Sequence, residues 1–102
     1  MSVLSFAGLV IDERTHDVTV DGHLVDLTAK EFDLLALLMS KPDATFTREQ
    51  IMATVWDENY WGSTRTLDTH VSTLRRKIGD DSDPPTLIVT VRGVGYKFIP
   101  EA

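Results

Sequence analysis

The chain has 102 residues with 42% apolar and 25% charged side chains, the content of one ordinary globular domain built on a single core. Its longest apolar run, Leu34 to Met39, falls far short of the ~20 residues a membrane span needs. No basic start leads into an apolar leader, and the absence of cysteine removes disulfides and thiolate metal sites, which fits a reducing, cytoplasmic setting. The net charge of −6 argues against a polyanionic partner until its distribution is considered: residues 1–58 sum to −7, residues 59–79 to +3, residues 80–83 to −3 and residues 84–102 to +1.

From Leu4 to Leu27 the pattern is short and strand-like. Val18 and Val20 alternate with polar neighbours, and Asp21-Gly22 is a two-residue hairpin signal ahead of His23, so a small antiparallel sheet is predicted. Thr28 followed by Glu31 is a capping box for a first helix. Phe32, Leu35, Leu38 and Met39 carry its inner face until Lys41-Pro42 stops it. Thr47 and Gln50 repeat the device before a second helix with Ile51, Met52 and Val55 inward. Residues 57–63 lack an apolar period and predict a loop rich in acids and aromatics.

Residues 64–79 predict a third helix, capped by Ser63 or Thr64 and stopped by Gly79. Leu67, Val71, Leu74 and Ile78 make one apolar stripe, while Thr66, Thr69, His70, Thr73 and Lys77 share a neighbouring polar face. Short hydroxyls and an imidazole suit base edges, and Arg65, Arg75 and Arg76 lie at the ends and flanks where phosphates would be. An amphipathic helix with a merely solvated polar side fits this segment equally well. Residues 80–85 predict a solvated acidic turn. Leu87 to Val91 and Tyr96 to Ile99 predict two strands joined by the hairpin Arg92-Gly93-Val94-Gly95.

The segments LTAKEFDLL (27–35), FTREQI (46–51), VW (55–56), RTLDTHVSTLRRKIG (65–79) and TVRGVGYKF (90–98) stand in an order and spacing that resembles the C-terminal effector domains of OmpR/PhoB-type response regulators. The resemblance implies an α+β winged helix-turn-helix across residues 1–102, with a four-stranded N-terminal sheet, three helices and a C-terminal hairpin wing. It also implies sequence-specific binding of double-stranded DNA in transcription control, by pairs of protomers on repeated half-sites. A receiver domain, phosphorylated by a sensor kinase, is expected to precede such a domain in the full protein.

Carried over by position, the resemblance places Thr66, Thr69, His70 and Thr73 at the major groove, with Lys77 on the same face. Arg48, Trp56, Arg65, Arg75 and Tyr96 match phosphate contacts. Thr90 in the wing strand is expected to contact DNA, and Arg92 matches the residue that enters the minor groove. Trp56 and Tyr96 suit a packing role as well as a contact, and Ser72 and Arg76 suit solvated positions. Several relatives carry arginine where this chain has Thr73, so a bidentate guanine contact is lost there. The loop residues Asp57, Glu58, Tyr60 and Trp61 match a surface that touches RNA polymerase through its sigma or alpha subunit. Neither cofactor nor enzymatic role is expected: the three histidines lack metal-ligand spacing, and Gly93 and Gly95 open no phosphate-binding helix. The competing reading is a winged-helix module for protein contacts, which the acidic surface would suit.

Overall fold

Antiparallel pairing of short, consecutive strands begins the chain. In the computed structural model, which describes residues 3–6, 8–57 and 64–100, β1 (Val3–Phe6), β2 (Leu9–Asp12), β3 (Asp17–Val20) and β4 (His23–Val25) form a sheet in that spatial order. Leu9, Ile11 and Val18 project into the core from one face. Val18 opposite Ile11 and Val20 opposite Leu9 set the register, since a one-residue slip would turn every apolar side chain outward.

The first helix, α1 (Ala29–Ser40), opens on the predicted capping box. Thr28 Oγ1 accepts from the Glu31 N–H at 3.2 Å, and the Thr28 N–H donates to Glu31 Oε1 at 2.9 Å. The same reciprocal pair joins Thr47 and Gln50 at the start of α2 (Arg48–Ile51). The second helix then departs from the sequence expectation, because Met52–Asp57 continue as a π-helical segment. Val55 O, in its last described turn, accepts from Lys30 Nζ at 2.8 Å.

The third helix, α3 (Arg65–Ile78), buries Leu67, Val71, Leu74 and Ile78 as its periodicity required. Its start differs: Thr64 has helical φ and ψ and makes no side-chain capping bond, while its carbonyl accepts from Arg48 Nη2 at 3.1 Å. Ser63, the other candidate cap, lies outside the described residues. Gly79, with φ of 81°, ends the helix in the left-handed conformation that glycine adopts without strain.

The acidic turn also differs from expectation at its first residue. Asp80 is buried, and its carboxylate accepts the backbone N–H groups of Thr86, Leu87 and Ile88 at 2.8 to 3.0 Å. Three donors turned on one carboxylate make burial of the charge tolerable and fix where the next strand begins.

The wing hairpin, β6 (Ile88–Val91) and β7 (Gly95–Phe98), is joined by a strand the sequence did not predict, β5 (Thr45–Thr47). The order is β5-β7-β6, with Phe46 opposite Tyr96 and Thr90 opposite Tyr96 on the other side. Ile88, Tyr96 and Phe98 are buried, so the hairpin belongs to the core that α1, α3 and the N-terminal sheet share. Three helical segments, a flanking antiparallel sheet and a packed hairpin make a winged helix. No helix among the described residues is long and apolar enough to cross a membrane.

Candidate nucleic-acid interface

Two clamps set the azimuth of α3. On the wing side, Asp68 receives both terminal nitrogens of Arg48, at 2.8 and 2.9 Å, and the Tyr96 hydroxyl at 2.6 Å. The Arg48 hydrogen bonds hold the Asp68 carboxyl below its ordinary range, with Tyr96 assisting, and Asp68 in turn raises Arg48. Burial, reinforced by Asp68, raises Tyr96. Two turns later, Arg75 donates to Ile88 O from Nε at 3.0 Å and from Nη2 at 2.6 Å, and to Thr90 Oγ1 at 3.0 Å. Its guanidinium lies 5.6 Å from the centre of the Tyr96 ring.

On the opposite flank, Lys77 Nζ meets Glu31 Oε1 at 2.7 Å. Burial pushes the Glu31 carboxyl up, but Lys77 and the Thr28 N–H outweigh it and leave it lowered. His70 sets its ring edge-on to Trp56, 5.0 Å between centres, with Lys30 beyond at 5.9 Å from the indole.

These clamps sort the predicted residues. Tyr96 is only 5% exposed and takes the packing alternative, its hydroxyl spent on Asp68. Lys77, expected beside Thr73 on the reading face, is turned to α1 because Glu31 there supplies a buried counter-charge. Arg75 and Thr90 are tied to one another, and among the described residues Arg75 Nη1 has no hydrogen-bond partner. Arg48 is charge-paired. Arg65 is exposed, Thr66, His70 and Thr73 are half-buried, and Thr69 is exposed; Arg92 is exposed in the turn of the wing. Asp57 closes the π-helical segment, and Glu58, Tyr60 and Trp61 lie outside the described residues.

The helix backbone also fixes which polar groups face outward. Thr69 Oγ1 donates to Arg65 O at 3.1 Å, so its remaining capacity is an acceptor lone pair beside a methyl group. His70 Nδ1 is 2.8 Å from Thr66 O. A carbonyl only accepts, so Nδ1 carries the proton and Nε2 is the outward nitrogen. Arg65, Thr66, Thr69 and His70 together line a concavity of about 340 Å³. Sequence periodicity found this face but not its centre, because periodicity locates the apolar stripe and cannot see the partners at either flank.

The lowered carboxyls give the fold a definite acid response. Glu31 and Asp68 titrate below their unfolded values, so their stabilisation is complete above the ordinary carboxylate range and is lost as pH falls through the lowered folded values. Lys77→Gln removes the main attraction holding Glu31 down. We expect it to cost about 1.5–3 kcal/mol near neutrality, the range for a hydrogen bond to a charged group. The acid loss of melting temperature should also be smaller and end at higher pH than in the unchanged domain, because burial without Lys77 moves the folded Glu31 carboxyl back up, and identical acid profiles would contradict the pairing.

A winged helix that holds a hydroxyl- and arginine-bearing helix outward between two clamps is the architecture of a DNA-reading effector domain. Residues 22–98 match the family model described as transcriptional regulatory protein, C terminal. The chain is 47% identical over 98 residues to the transcriptional regulatory protein ResD of Bacillus subtilis, covering 95% of this chain and 41% of ResD. It is 44% identical to the DNA-binding response regulator MtrA of Mycolicibacterium paratuberculosis, covering 96% of this chain and 44% of MtrA. The fold matches the Klebsiella pneumoniae RstA DNA-binding domain, solved in complex with RstA box, with a TM-score of 0.90, 32% identity, and coverage of 99% of this chain and 100% of that one. The chain belongs to the transcriptional regulatory protein C-terminal family, the winged-helix effector domains of OmpR/PhoB-type response regulators. It spans about two fifths of the length of these curated relatives.

Proposed function

We propose that this domain binds double-stranded DNA sequence-specifically and regulates transcription as the effector part of a response regulator. The observation that carries this reading is the pole of α3 opposite its core stripe, held outward by the Asp68 and Glu31 clamps and bearing Thr66, Thr69, Thr73 and His70 for base edges. Arg65, Trp56, Arg48 and the Nη1 of Arg75 serve phosphates, and Arg92 at the wing tip serves the minor groove. The solved RstA domain supports the pose, since its structure includes its DNA box. Selection from a random duplex pool, followed by salt titration on the selected site, tests it. DNA binding must weaken steeply with salt, whereas an apolar protein-contact module would barely respond.

The full protein in this reading is a non-enzymatic cytoplasmic regulator whose receiver domain is phosphorylated by a sensor kinase and whose protomers pair on repeated half-sites. Asp57, Glu58, Tyr60 and Trp61 form its patch for RNA polymerase, with carboxylates meeting basic side chains of the sigma or alpha subunit. Alanine at these four positions should leave operator affinity unchanged and lower activated transcription in vitro. Parallel losses in both assays would remove the patch from the mechanism.

A further inference from the structure

The cations around α3 differ in what already holds them. Arg48 is neutralised by Asp68 and Lys77 by Glu31, and Arg75 donates to Ile88 O and Thr90 Oγ1. A charge that already has a carboxylate partner adds little net field at a distance. The Arg76 side chain has neither hydrogen bond nor ion pair among the described residues, and it is exposed. Its position explains why. Residues seven apart on an α-helix return to within about 20° of the same azimuth. Arg76 therefore lies in line with Thr69, and both stand opposite the buried stripe of Leu67, Val71, Leu74 and Ile78.

The geometry points to Arg76 as a further DNA-contacting residue, a phosphate anchor at the far end of the reading ridge. This rests on the DNA-binding reading above. A recognition helix presents its N-terminal residues to base edges, which puts Thr66 and Thr69 at the floor of the groove. Arg76 lies about 10 Å further along the axis at 1.5 Å per residue, comparable with the roughly 12 Å width of the major groove. At that distance the side chain reaches a groove wall, where the oxygens are those of phosphates. The neighbouring Ser72, on the same exposed side one turn earlier, is too short to compete for that position.

The test compares Arg76→Gln with Lys77→Gln, adjacent positions of equal charge. Each is measured on the duplex chosen from the random pool and on an unrelated duplex, across a range of salt, with thermal melting alongside. Arg76→Gln should weaken binding to both duplexes by the same factor, lower the log–log salt slope by about one unit and leave melting unchanged. Between 50 and 200 mM salt its deficit relative to the unchanged domain should shrink by about 3.5-fold, the effect of one phosphate contact. Arg76→Lys should restore the slope. Lys77→Gln should lower melting and keep the slope. An unchanged slope for Arg76→Gln overturns the assignment, as does a change of base preference without a slope change. An equal slope loss for Lys77→Gln also overturns it, because net charge alone would then account for the effect. Absence of salt-dependent binding by the unchanged domain overturns both this assignment and the function it rests on.

Discussion

Asp80→Ala should be among the most damaging single substitutions outside the apolar core. Its carboxylate takes three backbone N–H groups in succession, from Thr86, Leu87 and Ile88, and it is 3% exposed. Alanine leaves those donors facing a space with no acceptor, and each unsatisfied buried donor costs about 1–3 kcal/mol. Thr86 is exposed and regains water, so the sum should be on the order of 3 kcal/mol. For a domain of this size each kcal/mol moves the melting temperature by about 4–8 °C. Asp80→Asn should fall between, since its single oxygen can face the two donors now on Oδ1 while its amide opposes the third. The loss should reach the interface as well, because Ile88, whose N–H is held by Asp80, offers the carbonyl that Arg75 grips. Thermal melting of the two variants decides the matter, and a shift within about 2 °C for alanine, well under one kcal/mol, would return Asp80 to the solvated turn its neighbours suggest.

That position illustrates where sequence stops being informative. Asp80 sits in an acidic run with Asp81 and Asp83, and nothing local distinguishes it from them, because its three donors lie six to eight residues ahead on a strand that it helps to place. The capping boxes at Thr28 and Thr47 were legible for the opposite reason: donor and acceptor are three residues apart, so the pattern contains both partners. The strand β5 was missed because three residues make no periodicity and its partner β7 lies some fifty positions away. The π-helical turn was missed because Ile51, Met52 and Val55 satisfy a regular helix equally well as a pattern.

The same limit governs the candidate site. The apolar stripe of α3 is periodic and could be read directly, which fixed the outward side to within one turn of the helix. What periodicity could not supply was the identity of the flanks. Lys77 and Arg76 are adjacent cations in sequence, yet one meets Glu31, forty-six positions earlier, and the other meets no described protein group. Arg48 and Asp68 present a similar case: each alone resembles a surface charge, and together with Tyr96 they form the joint between the second helix, the third helix and the wing. The division between phosphate anchors and internal braces is a property of tertiary contacts.

Gly95→Ala should dislodge the wing from that joint. Gly95 is buried where β7 crosses β5, and its φ does not require glycine; the constraint is space. A Cβ there would overlap the carbonyl oxygen of Phe46 and stand 3.1 Å from the Arg48 nitrogen, and both are backbone atoms that cannot rotate away. Relief requires β7 to move off β5, which breaks the Arg48 N–H to Val94 O bond of 3.1 Å and shifts the start of the second helix. Arg48 then loses its alignment on Asp68, and Arg92 at the wing tip moves with the hairpin. Overpacking of this kind costs about 1–3 kcal/mol, and we expect the upper end because the obstruction is main chain. Gly93→Ala is the control: its φ of 76° strains any side chain, but a Cβ there meets nothing within 4 Å. That strain costs about 1–2 kcal/mol and leaves β5 and β7 in register. Denaturant unfolding of both variants should rank Gly95→Ala as the more destabilised, with DNA affinity falling as the wing and Arg92 are displaced. If Gly93→Ala proved the more damaging, the close crossing of β5 and β7 would not be what selects glycine at position 95.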